Sequence, residues 1–210
     1  SFLAHASLGV ALRRKGLLDE SIAACREAVR LKLDYYYSHL LLGLALNLKG
    51  LHKEAAVAFR EAIRLNPNSV ESCNGLGNAL DGQNKLDEAI RWYKKAIEIN
   101  PKDALPHYNL GRMARRQGKL DEAIDWYRKA IKLDPNYAPS HCNLGSALSK
   151  QGKLEEAIAA CRKALKIDPK YAGAHINLSV AMRAREFMQN YEMKHEFIKR
   201  LHSRYRAEGI

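Results

Sequence analysis

Along residues 104–137 apolar side chains recur in two runs, first Leu105, Tyr108, Leu110 and Met113, then Leu120, Ala123, Ile124, Tyr127, Ala130 and Ile131. Spacings of three and four residues put such side chains on one face of a helix, so the pattern predicts two amphipathic helices. The first should stop at Gly118, because glycine takes the left-handed conformation of a helix C-terminus at little cost. The second opens at "LDEA", where Asp121 and Glu122 complement the positive end of the helix dipole. It closes at "DPN", where Pro135 disfavours helical geometry at Asp134.

The opening phrase of this unit, "HYNLGRMARRQG" from His107, comes back along the chain. It returns as "HCNLGSALSKQG" from His141 and "HINLSVAMRARE" from His175, with looser copies "HLLLGLALNLKG" from His39 and "HASLGVALRRKG" from His5. Each start lies 34 residues from a neighbour, with "CNGLGNALDGQN" at Cys73 filling the gap. Gly16, Gly50 and Gly152 repeat the turn glycine, Asn84 substitutes for it, and Pro67, Pro101 and Pro169 repeat the stop. A fixed period of this length marks an array of helix pairs, each unit burying its apolar face against the next.

Leu110 and Gly111 in the first helix, Ala123, Tyr127 and Ala130 in the second and the closing Pro135 resemble the signature of the tetratricopeptide repeat family. The resemblance covers repeats 2–35, 36–69, 70–103, 104–137 and 138–171 and the first helix of a sixth from 172, with histidine where the family often has tryptophan. It implies an all-α, right-handed superhelical solenoid of antiparallel helix pairs. The first repeat departs most, with Ser21 in place of the alanine and Leu33 in place of the proline.

After Arg183 the pattern fails. Tyr191 and Ile198 stand where small alanines belong, while Phe187, Tyr191, Ile198, Leu201 and Tyr205 form one apolar stripe among basic residues. The expected organisation is therefore an array over 1–186 and an amphipathic basic capping helix and tail over 187–210. Docking to another domain, a membrane surface or nucleic acid is the alternative for this helix.

The formal net charge of +12 over 210 residues is unevenly spread. The first two repeats carry +2 each, 70–103 carries −1, and 104–137, 138–171 and 172–210 carry +3 each. Such an excess attracts acidic partners without specifying a fold. Cys25, Cys73, Cys142 and Cys161 are widely spaced, with no C-x-x-C pair, and read as small buried residues of a reducing, cytoplasmic compartment. No run approaches the roughly 18 apolar residues of a membrane span. The chain starts without Met and inside a repeat, which reads as an excerpt of a longer protein.

Little here suggests catalysis. Successive histidines of the column His5, His39, His107, His141 and His175 belong to successive repeats, too far apart for one metal ion, and packing within each hairpin is expected of them. The Asp-Glu pairs sit at repeated helix starts, where the helix dipole accounts for them. No catalytic residue, metal site or cofactor is expected.

Binding is the expected role, because in the family the first helices line a concave groove. Carried over by position, Asn109, Asn143 and Asn177 form a ladder on that wall, resembling the amide ladder in the repeat superhelix of O-linked N-acetylglucosamine transferase. A primary amide both donates and accepts, so it can hold an extended peptide backbone or bond to its own neighbours. Arg112, Arg115, Arg116, Lys150 and Arg183 share the wall, with Arg13 and Arg14 near the N-terminus; guanidinium groups suit capture of carboxylates. Tyr37, Leu40, Leu44 and Leu48 are either an apolar anchor for a partner or ordinary core. Asn74, Asn78, Asn109 and Asn143 supply the amides of the family's carboxylate clamp, but Leu105 and Pro139 stand where its lysines could be.

The expected function is a non-enzymatic protein-interaction scaffold holding an extended acidic peptide. Polyanion binding through the basic C-terminal half and the recruiting arm of a larger enzyme are the rivals. Self-association by stacking of open solenoid ends is a further possibility.

Overall fold

The computed structural model describes residues 1–208, with side-chain environments through Arg204. Among the described residues the regular structure is entirely helical: α1 (Phe2–Arg14), α2 (Leu18–Leu31), α3 (Tyr36–Leu48), α4 (His52–Leu65), α5 (Val70–Gly82), α6 (Leu86–Ile99), α7 (Ala104–Arg116), α8 (Leu120–Leu133), α9 (Ala138–Lys150), α10 (Leu154–Ile167) and α11 (Ala172–Glu208). None of these helices is long and apolar enough to cross a membrane. The chain divides into two compact units, Ser1–Met113 and Ala114–Ile210, with the division falling inside α7.

Every turn from a first helix to a second has the same construction. Gly16, Gly50, Gly118 and Gly152 take φ between 76° and 83°, and Asn84 takes 61°. At the first turn Gly16 N–H donates to the Arg13 carbonyl and Leu17 N–H reaches back to the Leu12 carbonyl at 3.0 Å. Leu51, Lys85, Lys119 and Lys153 make the equivalent longer bond at 2.9–3.0 Å. This double bond pattern satisfies carbonyls that a helix end leaves without partners.

The return loops repeat as well. Asn66, Asn100, Asp134 and Asp168 leave the helix in extended geometry, ψ 90–97°. Their side-chain oxygens accept the amide N–H two residues on, at 3.0–3.2 Å. Lys32 adopts the same extended geometry although Leu33 replaces the proline, so the first loop keeps its form without the ring constraint. Ser21 is equally accommodated: buried where an alanine is expected, its hydroxyl donates to the Gly9 carbonyl at 2.7 Å.

The histidine column does more than fill space. Nε2 of His39, His107, His141 and His175 lies 2.8–3.2 Å from the carbonyl of Leu33, Pro101, Pro135 and Pro169 respectively, each six residues upstream. With the proton on Nε2, each histidine ties its loop to the helix that follows.

Within the first unit, hairpin closeness rests on pairs sixteen residues apart. A Cβ at Gly43 would stand 2.8 Å from the Phe59 ring, and one at Gly77 would stand 2.5 Å from the Tyr93 ring. Phe59 and Tyr93 are fully buried, each contributing about 1.5–3 kcal/mol by removal from water. In the second unit Gly145 meets Cys161 in the same manner, and Ala147, Ala157 and Ala164 are fully buried beside it.

The C-terminal segment departs from the expectation of a separate cap. α11 runs unbroken from Ala172 to Glu208, so the sixth first helix and the segment from 187 form one element. Glu186 falls 34 residues after Gly152, where the left-handed turn would be, and without glycine or asparagine there the helix continues. Its N-terminal part packs on α9 and α10 through the fully buried Ala174 and Ala181. From 186 to 204 every residue is exposed, including the apolar stripe. The side chain of Tyr205 and residues 209–210 lie outside the described residues.

Two outcomes follow from this packing. Gly77→Ala should cost about 2–3 kcal/mol in urea denaturation, since the added methyl meets a buried ring. Gly118→Ala, with open space around it, should cost about 1 kcal/mol for its backbone conformation alone. Equal, small losses at both positions would contradict the close contact.

Secondly, all four cysteines are free and buried, and burial raises each thiol, that of Cys161 to about 11. The native protein should resist a thiol reagent at neutral pH and expose four thiols in denaturant. Because the folded value lies above the unfolded one, the contribution of Cys161 to stability is complete below the ordinary thiol range. It should be lost as pH rises toward about 11, seen as a falling urea midpoint.

Candidate functional site

The expected wall residues fall into both units. In the first unit, α5 and α7 carry a buried polar chain. Asn109 Nδ2 donates to Asn74 Oδ1 at 2.9 Å, Arg112 Nη1 donates to Asn109 Oδ1 at 3.2 Å, and Arg112 Nη2 reaches Asp81 Oδ2 at 3.1 Å. Asn109, Asn74 and Asp81 are only 2%, 5% and 8% exposed. Asn78 is committed too: its carbonyl oxygen accepts the Tyr93 hydroxyl at 2.8 Å.

The arrangement is a satisfied network. A buried carboxylate carries a large desolvation cost unless paired and hydrogen-bonded, and Arg112 supplies both conditions for Asp81. Arg112, expected to meet a ligand's carboxylate, therefore holds one belonging to this chain. Asp81 is the residue that the sequence reading missed. The signal was available at the corresponding position of the repeats, where Arg13, Asn47, Arg115, Ser149 and Arg183 place no other acid.

The apolar group on α3 separates. Leu40 is 4% exposed and belongs to the core, a correction to its place in an accessible wall. The cause is local packing: α3 stands between α1 and α5, and Leu44 is half-buried against the cluster of Ala6, Cys25, Ala28 and Leu41. Leu48 and Tyr37 remain exposed, the tyrosine with its ring 6.2 Å from those of Tyr35 and Tyr36. Near the N-terminus Arg13 is half-buried and Arg14 exposed on α1.

The second unit presents a different surface. Arg115 is half-buried in the last turn of α7, while Arg116, Lys150 and Arg183 are exposed. Lys150 and Arg183 make no ion pair among the described residues. Asn143 on α9 is half-buried, and Asn177 on α11 is held by Nδ2 contacts to the Cys142 carbonyl at 3.3 Å and its sulfur at 3.2 Å. Those contacts use the amide nitrogen of Asn177 and leave its carbonyl oxygen able to accept. The first helices of this unit thus carry exposed cations beside the amides of Asn143 and Asn177, whereas on α5 and α7 of the first unit Arg112, Asn109 and Asn74 bond to one another and to Asp81. No group of histidines, cysteines and carboxylates among the described residues could hold a metal ion.

Comparison with known proteins agrees with this repeat construction. Family profiles described as "Tetratricopeptide repeat" match residues 1–33, 36–69 and 138–171, and one described as "TPR repeat" matches 82–113 and 111–152. No curated protein matches the chain in sequence. Among solved structures it is similar to MamA, at 28% identity and TM-score 0.64, over 78% of this chain and 96% of that one. A thermophilic TPR protein of Thermus thermophilus, TTC0263, is similar at 21% identity and TM-score 0.75, over 87% and 99%. YrrB, described as a TPR protein with an unusual peptide-binding site, is similar at 22% identity and TM-score 0.60, over 89% and 92%. With family matches spread from residue 1 to residue 171 and helix pairs recurring in register, the chain belongs to the tetratricopeptide repeat family.

Proposed function

We propose that this interaction scaffold binds an extended acidic peptide along the first-helix side of its second unit. The carrying observation is the exposure of Lys150 and Arg183 on first helices of this unit, neither of them in an ion pair among the described residues, whereas Arg112 of the first unit is engaged by Asp81. In this reading Asn143 and Asn177 contact the peptide backbone, since an amide can accept a backbone N–H and donate to a carbonyl. Arg115, Arg116, Lys150 and Arg183 meet the carboxylates.

In the first unit, Asn74, Asn78, Asn109 and Arg112 serve to hold α5, α6 and α7 in place. Tyr37 and Leu48 remain as the accessible apolar contacts there. The peptide-binding site named in the description of the similar YrrB supports the class of ligand.

Exposed ion pairs are individually weak, about 0.2–1 kcal/mol, so affinity should depend on several acting together and should fall with salt. Titration of a labelled peptide of alternating Glu and Leu should show saturable binding, and its Gln counterpart should not bind. Lys150→Glu with Arg183→Glu should weaken binding by about 10–30-fold. Lys163→Glu with Arg162→Glu, an equal charge change on exposed positions of α10, should leave affinity within about threefold. An unchanged affinity in the first double variant, or retention of single-stranded nucleic acid in place of the peptide, would overturn the assignment.

Asn109→Ala tests the other half of the reading. It leaves Asn74 and Arg112 short of partners in a buried setting and should cost about 1–3 kcal/mol in urea denaturation, with peptide affinity unchanged. A large loss of affinity with stability intact would place Asn109 in the binding surface instead.

A further inference from the structure

Within the first unit, α2, α3 and α4 line a cleft of about 670 Å³. Its apolar lining comes from Val29 of α2, Leu42 and Leu46 of α3, and Val57 and Ala58 of α4. Val57 is 65% exposed, so the cleft is reached from solvent. A concavity of this size, mostly apolar and edged by a few charged groups, has the form of a small-ligand site.

The repeat shows what is missing from it. The residues 34 and 68 positions after Ala58 are Trp92 of α6 and Trp126 of α8, so two other second helices carry an indole where α4 carries a methyl group. Trp126 also shows how an indole is held at this position, because its Nε1 donates to Glu122 at 3.3 Å, one helical turn earlier. Glu54 lines the cleft and stands to Ala58 as Glu122 stands to Trp126. On α4, therefore, the acceptor for an indole N–H is present and the indole is not.

Charge adds a second requirement. Arg26 is paired with Glu54 at 2.9 Å and Arg64 with Glu61 at 2.7 Å. Arg60, the fifth charged side chain lining the cleft, is exposed and makes no ion pair among the described residues. One positive charge thus remains over an apolar floor, and a guanidinium suits a carboxylate.

From these features we infer that the cleft binds a small aromatic carboxylate of indole size. The ring occupies the space beside Ala58, its N–H donates to Glu54, and its acid group meets Arg60. Glu54 can accept this bond while paired with Arg26, since a carboxylate offers about four lone-pair positions. A neutral aromatic compound would leave Arg60 without a counter-charge, and a small anion without a ring would leave the apolar floor in water. The site is independent of the peptide reading, because none of its residues lies in the second unit.

The probe is indole-3-propionate, titrated into the full chain by calorimetry while the valine methyl signals are followed by NMR. A dissociation constant of about 0.1–1 mM is expected for a ligand of this size, with the signals of Val29 and Val57 moving on binding. Arg60→Gln should weaken binding of the acid about fivefold and leave that of indole-3-propionamide unchanged. Lys163→Gln, an exposed charge removal on α10, should change neither. Ala58→Trp places on α4 the residue that α6 and α8 already carry; circular dichroism should show it folded, and its affinity should fall at least about tenfold because the cleft is occupied.

Fixed Val29 and Val57 signals at millimolar acid, equal affinity for the acid and its amide, or undiminished binding of the acid by Arg60→Gln would overturn the proposal. So would full affinity in folded Ala58→Trp, which would place the ligand elsewhere. Arg60 is at the surface, so its variant decides the matter even if Ala58→Trp does not fold.

Discussion

Each hairpin depends on a space shared between its helices. Where Gly43 faces Phe59 and Gly77 faces Tyr93, the missing side chain on one helix is the volume occupied by the ring on the other. A closely packed interior has no slack to absorb a methyl group there, so the pair fixes the separation of the two helices. The left-handed turn residue and the histidine bond to the return loop then fix where each hairpin begins and ends. With spacing, turn and loop repeated, the few first-helix positions left unburied are free to vary.

The two units use that freedom differently. The first has spent it on an internal network, Asp81 to Arg112 to Asn109 to Asn74, in which a potential ligand-binding cation is neutralised from within. The second keeps Arg116, Lys150 and Arg183 exposed.

Much of this fold was legible from spacing. The 34-residue period, the turn at Gly118 and its equivalents, and the stop at "DPN" are local devices, set by residues adjacent in sequence, and each stands where the pattern put it. Contacts that cross between repeats were not legible. Nothing local indicates that Arg112 closes on Asp81, 31 residues earlier, or that Leu40 is buried while Leu48 on the same helix is exposed. Those outcomes depend on which neighbour covers each position. Likewise, failure of the repeat after Arg183 was visible, but α11's continuation through Glu186 depends on the absence of a residue suited to the left-handed turn.

The most direct measurement is a titration of the labelled protein with an acidic peptide, followed through the side-chain amide signals of its asparagines by nitrogen–proton NMR. Signals of Asn143 and Asn177 should move in proportion to saturation while those of Asn74 and Asn109, closed in their own network, stay fixed. Movement of Asn74 and Asn109 with Asn143 and Asn177 unmoved would contradict the account, because it would place recognition on the amides that are hydrogen-bonded in the Asp81–Arg112 network.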